Sequence, residues 1–521
     1  MTDRSPRLLS LEVDGRPVEL PDDGGSLLDA LRDRLGLTSV KDGCSPQGQC
    51  GCCTVLVDGA ARVACVTPLR RVADRRVTTV DGLDPAARSA WSRAFTATGA
   101  SQCGFCTPGI VCRLDGLRRR EPEAPTGAVE SALLAHLCRC TGWRTILDAW
   151  SSYDDGPEPA GPGRDLDAAA AQATLEGGAA QRVGPDVALG RGGFADDTAP
   201  EGALVAVPDG SGGWAVGESL ADARRVAGKV QGRRTTVEAR PPLAAPGGDW
   251  DAVLRTSWVE PAYLEVDASW CRPGGEPATP LANGGAFGGK AASVVPAAAR
   301  RLADEHGRAV RVVLSREDVV RTGPKRPPVA GGARSDGTGV LRVARTAGIA
   351  EAVARVAPGL VVEEVDLAGP PTSAGLRAAG WAEAVVLLAG ARGGLLPVTE
   401  PEQGTAEATV GDDGTIRLRV HPGEVLDEVV IRSYAVGAAH MALSWISSEG
   451  LAVDEDGQVH DLTIRSFGVL RAADTPPIEV EVVPGPGSAV RTSDAAFAAV
   501  AAAAWLHQGC PPDWPTGARW R

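Results

Sequence analysis

Over residues 8–20 apolar and polar side chains alternate on either side of Asp14-Gly15, the pattern of a β-hairpin with a two-residue turn. Ser26 then stands as a cap before an apolar helical stretch, Leu27 to Leu35, which Gly36 ends. Residues 41–53 break the periodicity with a run dense in cysteine and glycine. Alternation returns at Thr54 to Val57 and Arg62 to Val66, two strands joined by Asp58-Gly59. These elements predict a small sheet crossed by one helix, with a loop of special composition at its edge. Between Pro85 and Trp150 the period becomes helical, with helix starts at Thr107-Pro108 and Pro125-Thr126. Residues 154–180 are rich in Asp, Gly, Pro and Ala without apolar periodicity and read as a linker. From about Val183 short strands alternate with Ala-rich helices. These include a helix over Val295 to His306, a strand over Val310 to Leu314, and a buried helix, Ala495 to Leu506, after Ser493-Asp494.

The chain of 521 residues has room for about three domains at ~150 residues each. Its net charge of −13 argues against nucleic acid as a partner. The N-terminus leads into a strand pattern without an apolar signal core, and the apolar run at 495–506 is too short for a membrane span. The expectation is a cytoplasmic protein that engages no membrane. Of the twelve cysteines, ten lie before residue 141. In a reducing compartment such crowding points to metal ligation rather than disulfides.

The cysteines form two sets of four. Cys44, Cys50 and Cys53 share the glycine-rich loop and Cys65 follows eleven residues later. Three thiolates on one loop with a fourth from elsewhere is the donor set of a plant-type [2Fe–2S] site, although the first gap here is five residues instead of four. Glycines 43, 48 and 51 let the loop turn tightly and aim amides at the anionic cluster. Cys52 fills a slot usually held by a small residue; Cys53 is assigned as ligand and Cys52 as a buried thiol. The second set is Cys103, Cys106, Cys138 and Cys140, a C-x2-C and a C-x-C pair placed before one predicted helix and at the end of another. Structural zinc pairs usually leave two to four residues between ligands, so C-x-C favours an iron–sulfur cluster over zinc.

Gln102-Cys103-Gly104-Phe105-Cys106-Thr107-Pro108-Gly109 and Leu137-Cys138-Arg139-Cys140-Thr141-Gly142, preceded by the ferredoxin-like loop, resemble the iron–sulfur subunit of the molybdenum hydroxylases, the xanthine dehydrogenase and aldehyde oxidase family. The resemblance covers residues 8–150 and implies an α+β protein. A β-grasp ferredoxin-like domain (1–81) and a helical [2Fe–2S]-binding domain (82–153) would precede the linker (154–180) and a shortened α/β molybdopterin-binding-like region (181–521). It further implies two [2Fe–2S] clusters, with Gln102 and Cys140 approaching a molybdopterin held by this chain or by a partner. Separate molybdopterin-binding and FAD-binding subunits are implied as partners.

In the second half, Asn283-Gly284-Gly285-Ala286-Phe287-Gly288-Gly289-Lys290 resembles the family's glycine-rich molybdopterin loop, which makes Gly285, Phe287 and Gly288 candidate cofactor contacts. The stretch 370–377 resembles the loop carrying an arginine near the molybdenum pocket, here Arg377. Residues 191–197 and 451–484 resemble the start and the final strands of the large subunit. At about 340 residues this half is far shorter than that subunit. Glu383 stands where the family has a glutamine. Gly485-Pro486-Gly487-Ser488 stands where the family's Gly-x-Gly-Glu carries the general base, and serine cannot take that proton without a partner base. No catalytic residue is therefore assigned. The reading is an electron-transfer component of a molybdenum-hydroxylase-type oxidoreductase; the alternative is an electron-transfer or assembly scaffold whose C-terminal half binds a partner. Cys103→Ser or Cys140→Ser is expected to remove one of two distinguishable electron paramagnetic resonance (EPR) signals and leave the other. Retention of both signals in either mutant would overturn the ligand assignment.

Overall fold

The computed structural model describes residues 7–156, 163–228, 237–395, 397–399, 404–460 and 462–520. The first unit is built from β1 (Leu8–Val13), β2 (Arg16–Pro21), the short helix α1 (Leu27–Asp29), β3 (Thr54–Val57), β4 (Ala60–Val63) and β5 (Arg76–Thr78). The strands lie in the order β2-β1-β5-β3-β4. Only β1 and β5 run parallel; the other pairs are antiparallel. Ser26 and Asp29 cap α1 reciprocally, and the helix continues as a wider turn over Ala30–Arg34. The strand expected over Arg62 to Val66 stops at Val63. Ala64–Val66 form a 3₁₀ turn instead, which swings Cys65 toward the cysteine loop.

The second unit holds α2 (Pro85–Ala97), α3 (Thr107–Arg118), α4 (Thr126–Ala132) and α5 (Arg144–Ser151). Helix α3 lies so close to the cysteine loop that a Cβ at Gly109 would sit 2.4 Å from the Gly51 carbonyl. Cys138 and Cys140 do not end a helix as expected. Helix α4 gives way to a 3₁₀ turn at Leu133–Ala135, and both thiols sit in the irregular stretch before α5.

The segment read as a linker contains a helix, α6 (Leu166–Gly177). Its signal is weak in sequence because Ala169 and Ala173, the positions that pack on Val430 and Tyr434, are small and separated by other alanines. Residues 157–162 of that segment lie outside the described residues. Two short turns follow, α7 (Pro185–Ala188) and α8 (Ala195–Thr198).

The C-terminal half carries three sheets. The first contains β6 (Leu204–Pro208), β7 (Trp214–Gly217), β9 (Ala268–Cys271) and β10 (Val310–Val313), with α9 (Leu220–Ala227) and α10 (Val295–His306) packed on it. The second contains β8 (Ala252–Thr256), β11 (Val329–Ala333), β12 (Gly339–Ala344), β13 (Leu360–Val365) and the terminal β18 (Asp513–Trp514). Helices α12 (Ile349–Val356) and α13 (Trp381–Arg392) pack on these strands, whereas α11 (Arg316–Thr322) joins the first sheet's core through Val319 and the N-terminal core through Val320. The third contains β14 (Val398–Thr399), β15 (Thr405–Val410), β16 (Ile416–His421) and β17 (Ile478–Val482), covered by α14 (Glu428–Ser447) and α15 (Ser493–His507).

Helix α14 is the only one among the described residues long and apolar enough to cross a membrane, and 89% of its most apolar stretch is buried within the protein. It is the central core helix, hidden in the sequence because its serines interrupt the apolar run. An aromatic cluster joins it to α15 and β18: Trp445 stacks on Phe497 at 5.2 Å and meets Trp514 edge-on at 4.7 Å. The start of α15 is closed from α6, where the buried Glu176 carboxylate accepts the amides of Thr492 (3.1 Å) and Ser493 (2.9 Å). Glu176→Ala leaves those donors buried without an acceptor and is expected to cost about 2–3 kcal/mol in denaturant unfolding. A loss below about 0.5 kcal/mol would show that α6 is dispensable, as a plain linker would be.

Candidate functional site

Two groups of thiols occupy the interface between the N-terminal units. In the first, Cys44, Cys50, Cys53 and Cys65 are buried and linked in a row, Cys50 to Cys44 to Cys65 to Cys53. Cys44 is held well below the ordinary thiol range by hydrogen bonds from Cys50 and Cys65, while Cys65 is pushed up by its bonds to Cys44 and Cys53. The backbone supplies further donors. The amides of Gln47 (3.3 Å) and Gln49 (3.5 Å) point at Cys44 Sγ, and that of Cys65 points at Cys53 Sγ (3.4 Å). Such amides stabilise an anionic sulfur centre without adding a proton. Gly51, at φ +74°, is required here: a Cβ would strike the His136 ring at 2.6 Å. Cys52 bonds Cys50 at the end of the row opposite Cys53, and its thiol contributes to the field felt by Cys106 in the neighbouring group. It is a buried thiol between the two sets.

In the second group, Cys103 and Cys140 approach to 3.6 Å and Cys106 bonds to Cys138. Cys138 is drawn down to about 7 by the Cys106 thiol and by Thr141, whose hydroxyl lies 3.0 Å away. Cys106 is the residue that caps α3, so this group lies at a helix N-terminus, where backbone dipoles favour negative charge. Among the described residues no three His, Cys, Asp or Glu side chains close around one point as the ligands of a single ion would. The thiols of the second group stand as two pairs, which suits two irons with two thiolates each. The residues present fit two [2Fe–2S] clusters.

The C-terminal half grips both groups. Arg316, fully buried on α11, donates to the Gly43 carbonyl at 2.7 Å. Gln47 donates to Glu317 (2.7 Å) and accepts from the Ile464 amide (3.1 Å), and Arg465 donates to the Gln49 carbonyl at 2.9 Å. On the other flank Arg32 bonds Asp196 (2.6 Å) and Asp197 (2.9 Å), Lys41 pairs with Asp197, and Phe194 meets Phe105 edge-on. The stretches 191–197 and 451–484 therefore clamp the cluster-bearing units.

The glycine-rich loop faces the second thiol group. A Cβ on Gly285 (φ +83°) would lie 3.0 Å from Cys103 Sγ and 3.6 Å from Cys140 Sγ, and Asn283 donates to the Cys103 carbonyl at 3.0 Å. Gly288 touches the 370–377 loop at the Gly375 carbonyl. The structure thus places Gln102 and Gly285 beside Cys103 and Cys140, whereas Phe287, Gly288 and Arg377 meet one another at the 370–377 loop. The Gln102 and Arg377 side chains are already engaged within the protein, however. Gln102 donates to the carbonyls of Cys140 (2.9 Å) and Ser433 (3.1 Å). The Arg377 guanidinium lies 4.5 Å over the Phe287 ring and pairs with Asp494 at 3.1 Å. The interior cavity between Phe287, Arg377, Met441 and Trp445 measures about 30 Å³, and the one behind Gly285 about 10 Å³. A ligand of drug size needs several hundred Å³, whereas these spaces hold a water or two. A molybdopterin does not fit among these residues as they pack.

Two expectations change with that packing. Glu383 is fully buried and forms a two-pronged pair with Arg326 (2.7 and 2.9 Å) while accepting the Gly380 amide at 2.8 Å, so it anchors the start of α13. Residues 485–488 form an exposed loop bonded to 423–424 and do not reach the interior. The carboxylate facing Arg377 is Asp494, singled out in the sequence only as a helix start. Arg139, buried against Glu449 (Nη2 to Oε2, 2.8 Å), and Gly437 were not singled out at all. A Cβ at Gly437 would lie 1.8 Å from the Cys140 carbonyl, so only glycine allows α14 its place on the C-x-C stretch.

The family described as "2Fe-2S iron-sulfur cluster binding domain" matches residues 11–72, and that described as "[2Fe-2S] binding domain" matches residues 79–151. A nicotinate dehydrogenase subunit from Pseudomonas putida is 42% identical over 145 residues, 27% of this chain and 90% of that one. The nicotine 6-hydroxylase small subunit of Paenarthrobacter nicotinovorans is 39% identical over 142 residues, 27% of this chain and 86% of that one. Aldehyde oxidoreductase of Megalodesulfovibrio gigas is 40% identical over 144 residues, 27% of this chain but only 16% of that one, so this chain matches a small part of the longer relatives. The solved aldehyde oxidoreductase from Desulfovibrio gigas superposes with a TM-score of 0.68 at 14% identity, covering 96% of this chain and 97% of that one. That likeness extends the shared fold through the C-terminal half. By its two cysteine cages and their near-complete match to single small subunits, the chain belongs to the molybdenum hydroxylase (xanthine dehydrogenase/aldehyde oxidase) family as a bearer of two [2Fe–2S] clusters.

Proposed function

We propose that the chain is the two-cluster electron-transfer component of a molybdenum-hydroxylase-type oxidoreductase and works in the cytoplasm beside separate molybdopterin-binding and FAD-binding subunits. The observation that carries this reading is the pair of complete thiol cages in adjoining units. Cys44, Cys50, Cys53 and Cys65 hold one cluster; Cys103, Cys106, Cys138 and Cys140 hold the other. Bound there, the clusters supply one-electron carriers. The protein's part is to keep both cages dry, to offset their charge with amides and with Arg316, and to fix their separation through the α3–loop contact at Gly109. No catalytic step is assigned to its own residues; the Arg377 guanidinium is held between the Phe287 ring and Asp494 beside a space of about 30 Å³.

That filled interior favours a second reading for the C-terminal half, a non-catalytic scaffold that clamps the clusters and binds a partner. Metal analysis separates the two. The isolated chain is expected to hold about four irons and no molybdenum. Molybdenum copurifying only with its neighbouring subunits supports the relay component. Its absence even from the assembled complex would leave the scaffold. About one molybdenum on the isolated chain would overturn the closed interior, and a colourless chain without iron would overturn both readings.

A further inference from the structure

A buried charge is tolerated where an opposite charge or a full set of hydrogen bonds meets it. Seven lysines and arginines are buried among the described residues, and six of them pair with a carboxylate. The seventh is Arg316. It is wholly buried and forms no ion pair among the described residues, and its Nε and Nη1 have no hydrogen-bond partner there. Only Nη2 is engaged, donating to the carbonyls of Gly43 (2.7 Å) and Leu264 (2.8 Å). A guanidinium with two nitrogens unengaged and no counter-ion is costly unless an anion stands near.

The fold holds this charge in one place. Arg316 is the first residue of α11, which Ser315 and Asp318 cap reciprocally. The next residue, Glu317, accepts from Gln47 of the cysteine loop at 2.7 Å, so the start of α11 is pinned to that loop twice. The Tyr263 ring lies 5.8 Å from the guanidinium. Gly43, whose carbonyl Arg316 holds, is the residue before Cys44. A Cβ on Gly43 would lie 3.2 Å from Cys50 Sγ and 3.2 Å from the Leu264 carbonyl. Through that shared point the guanidinium stands within about 10 Å of a ligand sulfur of the ferredoxin-like cage, a range over which buried charges act strongly on one another.

Four thiolates around a [2Fe–2S] core carry a net charge of about −2 when oxidised and about −3 when reduced. A fixed cation nearby therefore stabilises the reduced form more. The carboxylates of this region do not remove that difference. Asp267 accepts from the Tyr263 hydroxyl at 2.7 Å, Glu317 from Gln47, and Glu260 pairs with Lys325 at 2.9 Å. None of them pairs with Arg316, and their charge is the same in both states of the cluster. Beside the helical cage the buried cations are already neutralised, Arg139 by Glu449 and Lys290 by Glu265.

We infer that Arg316, supplied by the C-terminal half, is the counter-charge that sets the reduction potential of the ferredoxin-like cluster. The cluster takes one electron from its donor, the cage gains one negative charge, and no bond to Arg316 forms or breaks. Arg316 touches no substrate and acts on the cluster through space. The inference rests on the assignment of Cys44, Cys50, Cys53 and Cys65 as ligands.

The test is an EPR-monitored redox titration with dithionite on the full chain carrying both clusters, unaltered and as Arg316→Gln and Arg316→Lys. Glutamine keeps a donor for the two carbonyls without the charge, and lysine keeps the charge. Cys103→Ser identifies the signal of the helical cluster. Arg316→Gln is expected to lower the midpoint of the ferredoxin-like cluster by at least about 59 mV, a tenfold change in its oxidised-to-reduced ratio at a fixed potential, and that of the helical cluster by less. Arg316→Lys is expected to stay within about threefold of the unaltered ratio. If Arg316→Gln sheds iron, about two of the roughly four irons are expected to go, from the ferredoxin-like cage, while Arg316→Lys keeps them all. A change below about threefold in Arg316→Gln, equal effects in the two variants, a larger shift at the helical cluster, or iron loss from both cages would each overturn the inference. An unaltered chain without iron marks the failure of the ligand assignment, whereas two intact clusters with an unmoved potential mark the failure of this role for Arg316.

Discussion

The backbone of α14 rests directly on the C-x-C stretch, at a spacing that allows no side chain at Gly437 beside the Cys140 carbonyl. Around this contact Gln102 bonds both Cys140 and Ser433, Ser433 bonds the Gly99 carbonyl, and Trp143 donates to the Leu470 carbonyl. A backbone held this closely fixes two of the four thiols of the helical cage. It also removes the gap in which a cofactor would lie between cage and C-terminal half. The rest of the architecture follows from that closure, because elements packed against α14 no longer need to wall a ligand and are free to pack on one another.

What fills the closed interior is unusually polar. Arg139–Glu449, Arg326–Glu383, Lys325–Glu260, Lys290–Glu265 and Arg377–Asp494 are ion pairs with both members largely or wholly buried. Burial raises the cost of each charge, and Glu265 is pushed up to about 7 by desolvation even beside Lys290. Pairs of this kind add little net stability over apolar packing, but removal of one member leaves a buried charge uncompensated. They therefore act as registration pins that hold the glycine-rich loop, the 370–377 loop and α13 in one arrangement. The interior between these elements is held shut by the protein's own side chains.

The two cages consequently face unlike surroundings. The helical cage is enclosed between α3, the glycine-rich loop and α14. The ferredoxin-like loop is clamped at its edges by Arg316, Glu317 and Arg465 yet opens on one side to a large cleft. The C-terminal half contributes the contacts that clamp the cysteine loop at its edges.

Much of the N-terminal 150 residues was legible in the sequence, because local rules govern them. The hairpin at Asp14-Gly15, the Ser26 cap, the helix starts at Thr107 and Thr126 and the eight paired cysteines rest on turn chemistry, capping and ligand spacing. All of these act over a few residues. The helix α10 was read correctly for the same reason, while α15 begins at Ser493, two residues before the expected start. The helix α6 was missed since its buried face is alanine, and Cys138 and Cys140 were placed on a helix end that the cage pulls into a loop. Residue order alone was enough to say which thiols belong together and what chemistry they carry. It took the packed fold to show that Asp494 and not residue 488 meets Arg377, that Glu383 anchors a helix, and that the space beside Gln102 is closed. Those outcomes depend on backbone approaches between segments far apart in the chain, such as Gly437 on Cys140, and no local pattern encodes such a distance.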